Sequence, residues 1–350
     1  VNTKRWLQIV FGLGVGLLLI WWVFRDTDWG AVWASIRHVK IRWLLVNQAA
    51  VWATFFTRVQ RWSYIVRAGD PATFRQMFSA TQIGFLANFT LPGRIGEAVR
   101  ALVLNRLARI AFSKSFAMVA LDRVTDLIGL IVVMLVSVFA FRPTESIVLP
   151  REIYSKPISA DLIRTGAIGT AVFLLAVVGT LVLLYVKQGL VLRLSDKCVG
   201  LVSNRSARRL HGMLEQFAQG LHIFRSASDM AKSISYSLAT WGLFLIGYGA
   251  ILAAFDVSWP WYAPFVVVSL LAVVIALPGA PGFVGQFHIA LVVAAKASIP
   301  GLGVADAKAM AILAHLLNLI PIAIAGIFCL FWEDLRLREL TRASRHTDSL

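Results

Sequence analysis

The chain is 350 residues long, 58% hydrophobic and 15% charged, with a formal net charge of +16. Soluble domains carry about a quarter of their residues as charges, so this composition excludes an ordinary soluble enzyme and points to an all-α protein that crosses a membrane repeatedly. The basic excess comes with no nucleic-acid motif, and positive loops lying against anionic headgroups account for it. The two cysteines, Cys198 and Cys329, imply no disulfide framework.

In chain order, the first apolar run follows Lys4 and Arg5 and covers 6–24. It is longer than the apolar core of a signal peptide and reads as a retained signal-anchor. Next comes DTDWGAVWASIRHVKIRW, where Asp28 is placed to cap a short interfacial helix with Trp29, Trp33 and Ile36 on one face. Asp26-Thr27-Asp28 also has the acid-x-acid form of metal-dependent glycosyltransferases, a three-residue match of low information. Further spans are expected at 43–66, 116–141, 166–186, 233–255 and 308–332, which makes about six full crossings.

Two apolar segments stand apart from these spans. MFSATQIGFLANFTLPG runs into RIGEAVRALVLNRLARI, and APFVVVSLLAVVIALPG runs into APGFVGQFHIALVVAAKASIP. In both, an apolar helix reaches Leu-Pro-Gly, and a short glycine-bearing link precedes a polar residue (Glu97 or Gln286) and another helix. Pro92 and Pro278 stop the first helix of each pair, while Gly93, Gly96, Gly279, Gly282 and Gly285 permit the reversal. Each pair therefore reads as a broken helical hairpin.

Charge sets the expected orientation. Arg94, Arg100, Arg106, Arg109 and Lys114 stand against Glu97 alone, and the 187–232 loop is likewise strongly basic, whereas 142–161 is balanced. The basic loops belong in the cytoplasm, with both termini inside and 142–161 outside. Three spans separate the hairpins, so the two enter from opposite faces as an inverted-topology repeat. The expected organisation is one integral membrane domain over 1–335 and a short cytoplasmic tail over 336–350. Within it, 187–232 is a basic amphipathic loop on the leaflet or a docking surface for a soluble partner.

Intramembrane charges mark the candidate site. Asp122, Arg123 and Asp126 lie inside the 116–141 span, the two acids sharing a face. Ionisable groups there cost at least ~2.5 kcal/mol each on insertion scales and need partners or a wet cavity. Arg94 and Arg100 are the candidate partners of the aspartates, and Glu97 of Arg123. The set is either a static clasp or a headgroup pocket, with arginines on phosphate and acids on a cationic or hydroxyl-rich group. In the second half Gln286, His288, His315 and Asn318 are expected to make interhelical hydrogen bonds first and substrate contacts second. Trp241 and Tyr248 read as packing or interfacial residues. No metal or cofactor is expected, and neither a nucleotide-binding nor a catalytic motif is present to suggest an enzyme.

LPGRIGEAVRALVL, the ALDRVTDLIGL span and ALPGAPGFVGQFHIAL together resemble the flippase-like family that corresponds to the transmembrane region of lysylphosphatidylglycerol synthases. The resemblance covers about 6–335 and places Pro92, Gly93, Arg94, Gly96 and Glu97, then Asp122, Arg123 and Asp126, then Pro278, Gly279, Gly282 and Gly285 on the family's motifs. Gln286 departs from an expected glutamate, so a titrating role for the second hairpin is not expected. No lysyl transfer is expected of these residues, since few follow the last span. The resemblance implies movement of a polar-headed lipid (an aminoacylated phospholipid, a hopanoid, or a glycolipid or polyprenyl-linked lipid) between leaflets, and the family's bacterial members sit in the inner membrane. The alternative expectation is an accessory subunit presenting lipid to a separate glycosyl- or acyltransferase.

Overall fold

The computed structural model describes residues 14, 16–69, 71–91, 95–142, 159–200, 227–277 and 280–334. Pro92, Gly93, Arg94, Pro278 and Gly279 lie outside the described residues. So do the start of the first span, most of the 142–161 loop, residues 201–226 of the basic loop, and the tail.

Every regular element among the described residues is helical. α1 covers 16–24, α2 is Trp29–Arg37, α3 is Ile41–Gly69, α4 is Phe74–Thr90 and α5 is Gly96–Ala108. α6 is Phe112–Ala140, α7 is Ala160–Val186, α8 is Gln188–Gly200 and α9 is Ala227–Ala254. α10 is Ala263–Ala276, α11 is Gln286–Ser298 and α12 is Val304–Trp332, with a 3₁₀ turn at Pro281–Phe283 between α10 and α11. Among them α6, α9 and α12 are each long and apolar enough to cross a membrane. α3 is as long as α6 but carries Arg58 and Arg61 well inside its ends. The chain is a multi-pass membrane protein.

Local chemistry sets the helix ends. Asp28 caps α2 by accepting from Ala31 N at 3.0 Å, which uses the acid that the acid-x-acid reading required. Asp26 lies at the surface against Arg25. Thr73 and Gln76 form a capping box at the start of α4. α9 ends at Ala254, two residues before Asp256, whose backbone is left-handed (φ 55°) and whose carboxylate pairs with Lys40. The Lys40 amide donates to Ala254 O at 2.9 Å, tying the end of α9 to the start of α3.

Two apolar cores are stacked along the long helices. One joins α3, α4, α5, the N-terminal half of α6 and the last turns of α12. The other joins the C-terminal half of α6, α9, α10, α11 and the first half of α12. α6 and α12 thus run through both cores, and the α4–α5 and α10–α11 pairs lie at opposite ends of the same helix.

Close crossings need glycine. A Cβ on Gly84 would sit 2.9 Å from both Arg100 Cβ and Gly96 O, and one on Gly96 would overlap Gly84 O and the Asn88 side chain. α4 and α5 therefore touch backbone to backbone. Gly326 of α12 meets Leu86 of α4 in the same way, at 2.6 Å. Pro321 inside α12 cannot donate to Leu317 O, and Gln48 of α3 supplies the missing donor at 2.8 Å.

Gly96→Ala should cost about 1–3 kcal/mol through overpacking. Gly179→Ala on α7, where nothing lies within 4 Å of the added Cβ, should leave stability unchanged or raise it slightly. Melting curves of the two variants in one detergent check the contrast.

Candidate functional site

The charged cluster forms because α3, α5 and α6 each bring ionisable groups to one depth. Asp126 is close to the midpoint of α6, deeper than the cytoplasmic edge of the expected span, and Asp122 is one turn before it. Asp122 accepts Arg61 Nε on Oδ1 at 2.8 Å and Arg100 Nη1 on Oδ2 at 2.7 Å. Arg61 also pairs through Nη1 with Asp126. One arginine of α3 thereby spans the two acids that share a face of α6, and one arginine of α5 closes the far side.

Arg123 points away from that face and meets Glu97 at 2.5 Å, with Asp126 a further 3.6 Å neighbour. The structure has the expected pairing of Glu97 with Arg123, and of the two aspartates Arg100 meets Asp122; Arg94, the other expected partner, lies outside the described residues. The dominant partner, Arg61, was not among the sequence candidates. Its signal was present: Arg58 and Arg61 stand three apart inside a span, where each needs a reason to be there. Trp241, expected to pack or to lie at the interface, also donates from Nε1 to Asp126 O at 3.1 Å and Oδ1 at 3.2 Å, and so attaches α9 to the cluster.

Exposure divides the cluster into two parts. The side chains of Asp122, Arg61 and Arg100 are 0%, 2% and 4% exposed. Those of Asp126, Glu97 and Arg123 are 13%, 24% and 37% exposed. The first three form a sealed knot and the last three an open flank. Arg100 also lies 3.7 Å over the Trp62 ring, and Arg58 sits between Phe85 and Phe244 at 4.8 and 4.9 Å.

The open flank lies beside the first helix break. Asn88 Oδ1 accepts the Gly96 amide at 2.7 Å, and Asn88 Nδ2 donates to Glu97 at 3.4 Å. The next residue, Phe89, packs edge-on against Phe283 of the second break, with ring centroids 5.2 Å apart. The ends of the two breaks are therefore in contact.

At the second break the polar residues satisfy backbone groups. Gln286 Nε2 donates to Val274 O at 3.2 Å, and His315 Nε2 lies 2.8 Å from Gly282 O. Gly282 (φ 68°) and Gly285 (φ 84°) take left-handed backbone that other residues rarely adopt. α1 lies directly over this turn, since a Cβ on Gly285 would overlap Leu19. His288 is packed among Phe24, Phe287 and His315, with the two imidazoles edge to face at 4.7 Å. Gln286 and His288 are thus not part of the charged cluster. Asn318 donates to Ala314 O within its own helix.

The model of the family described as "Lysylphosphatidylglycerol synthase TM region" matches residues 9–326. Glycosyltransferase AglD of Haloferax volcanii is 31% identical over 264 residues, 69% of this chain and 40% of its own length. UPF0104 membrane protein PH1989 of Pyrococcus horikoshii is 27% identical over 140 residues, 38% of this chain and 40% of its own length. The matched part thus spans two fifths of each relative. With more than half of its length matched, the chain belongs to the lysylphosphatidylglycerol synthase transmembrane-region family.

Proposed function

We propose that the protein moves a polar-headed lipid between the leaflets of the cell membrane it spans, the headgroup passing along the seam between the two helix breaks while the tails stay in the bilayer. The observation that carries this reading is the open Glu97–Arg123–Asp126 flank, which lies beside the contact between the breaks and is backed by a sealed charge knot. A purely structural clasp gains nothing from an exposed half. A headgroup path needs one, because only an ion pair in reach of water and lipid can exchange its partner for a headgroup. In this reading α4–α5 and α10–α11 are hairpins of an inverted-topology repeat, entered from opposite faces, with both termini cytoplasmic. Their placement at opposite ends of α6 supports it. The candidate cargoes are an aminoacylated phospholipid, a hopanoid, or a glycolipid or polyprenyl-linked lipid.

The match to a protein named as a glycosyltransferase favours a second reading, in which the chain presents lipid to a separate glycosyl- or acyltransferase through its basic loop. Asp26 and Asp28 give little support to glycosyl transfer by this chain itself, since Asp28 is engaged as a helix cap.

The two halves of the cluster should separate on mutation. Asp122→Asn strips buried Arg100 of its carboxylate and leaves Arg61 only Asp126; it should cost ~3–5 kcal/mol, seen as lost folded protein in size-exclusion and melting experiments. Glu97→Gln, on the open flank, should cost ~1 kcal/mol or less and yet slow dithionite-detected exchange of fluorescent lipid in proteoliposomes. Normal exchange by Glu97→Gln and by Arg123→Ala would remove the flank from the path. Under the second reading, charge reversal of Arg205, Arg208 and Arg209 should abolish co-purification of a transferase from native membranes while exchange persists.

A further inference from the structure

Three features of the cluster converge on one ligand chemistry. The first is charge: among the described residues the guanidinium groups of Arg58, Arg61, Arg100 and Arg123 face only the carboxylates of Glu97, Asp122 and Asp126. Arg58 is within electrostatic reach of Asp122, Asp126, Arg61 and Arg123, yet it makes no hydrogen bond or ion pair to any described residue. A surplus guanidinium at this depth is costly, and the faces of Phe85 and Phe244 offset only part of that cost.

The second feature is the kind of hydrogen-bonding capacity left over. The buried polar atoms of these arginines and of the ring stacked on them that lack a partner are Arg100 Nε, Arg100 Nη2, Arg123 Nε and Trp62 Nε1. All four are donors, as guanidinium and indole nitrogens must be, so what these side chains offer a ligand is a set of donors, which an acceptor-rich anionic group fits. The third feature is shape. The Arg58 Cζ lies 4.8 and 4.9 Å from the Phe85 and Phe244 ring centroids, and a guanidinium held by rings keeps N–H groups suited to a bidentate contact. Among the common polar parts of membrane lipids, an anionic group with several acceptor oxygens is a phosphate.

We infer that Arg58, packed against Phe85 and Phe244 and near Arg123, is the seat for one lipid phosphate. Its Nη and Nε groups take phosphate oxygens, and Arg123 takes the others once Glu97 releases it. The inference rests on the lipid-translocation reading for its cargo and narrows that cargo to a phosphate-bearing lipid, setting hopanoids and phosphate-free glycolipids aside. Arg61 and Asp122 stay closed throughout and hold the frame.

The test reads binding without transport. The purified chain in phosphate-free maltoside micelles is titrated with dihexanoyl-phosphatidylglycerol, with dihexanoylglycerol, which has the same tails and no phosphate, and with inorganic phosphate, each followed by the shift in melting temperature. The phosphatidylglycerol should raise the melting temperature and dihexanoylglycerol should not. Arg58→Gln should weaken phosphatidylglycerol by ~tenfold or more, the usual consequence of losing a charge-assisted bond. Arg58→Lys should keep part of the affinity, and Arg75→Gln, an exposed arginine at Glu333, should keep all of it. Phe244→Leu removes one ring without touching a charge and should fall between, which covers the case in which Arg58→Gln does not fold. Equal stabilisation by phosphatidylglycerol and dihexanoylglycerol, or no response to either Arg58→Lys or Phe244→Leu, overturns the seat. Inorganic phosphate acting as strongly as the lipid assigns the site to free phosphate and overturns the lipid part. Exchange of phosphatidylglycerol with no Arg58 dependence sinks this inference and leaves translocation standing. Arg58-dependent binding with no exchange does the reverse.

Discussion

A carboxylate buried at the middle depth of a membrane helix constrains everything around it. Asp122 is fully enclosed and answered by Arg61 from α3 and Arg100 from α5. None of the three groups is tolerable alone in hydrocarbon, so α3, α5 and α6 are stable only together. Arg61 extends the tie to Asp126, and Trp241 carries it on to α9. The pairing does for these helices what apolar burial does in water, because lipid tails are as apolar as the helix faces and burial gives little drive to associate.

Backbone polarity imposes the second constraint. Wherever a helix breaks at depth, the freed amides and carbonyls must find partners inside the protein. Asn88 does this at the first break, while Gln286 and His315 do it at the second. Gln48 meets the carbonyl that Pro321 leaves open. The two breaks share this device but differ in charge. The first adjoins Glu97 and Arg123, and the second is lined by a glutamine and two aromatic-packed histidines. In the proposed translocation reading, headgroup recognition belongs to the first break, with the second as its neutral counterpart across the Phe89–Phe283 contact.

Much of the site was legible because hydrocarbon makes charges conspicuous. Asp122, Arg123 and Asp126 stood out within an apolar run, and the spacing of Glu97 and Arg100 on a following helix left few ways to neutralise them. Arg58 and Arg61 carried the same signal, but their span holds no motif to draw attention. Gln286 and His288 follow the second break, and hydrogen bonding between helices is the first role expected of both. The structure uses Gln286 on a carbonyl and encloses His288 in aromatic rings, a distinction that depends on side-chain direction and not on residue type.

Composition, periodicity and the position of charges by themselves determined the class of this protein. Its helices, the two interruptions and the need for intramembrane ion pairs follow from the cost of leaving polar groups in lipid, which any sequence reveals locally. Only the tertiary structure decided which arginine answers which aspartate, which pairs are sealed, and that Arg58 is left between two rings with its donors free. Those outcomes depend on how α3, α5, α6 and α9 come together across long stretches of chain, and a pairing between residues 61 and 122 leaves no local mark in either segment.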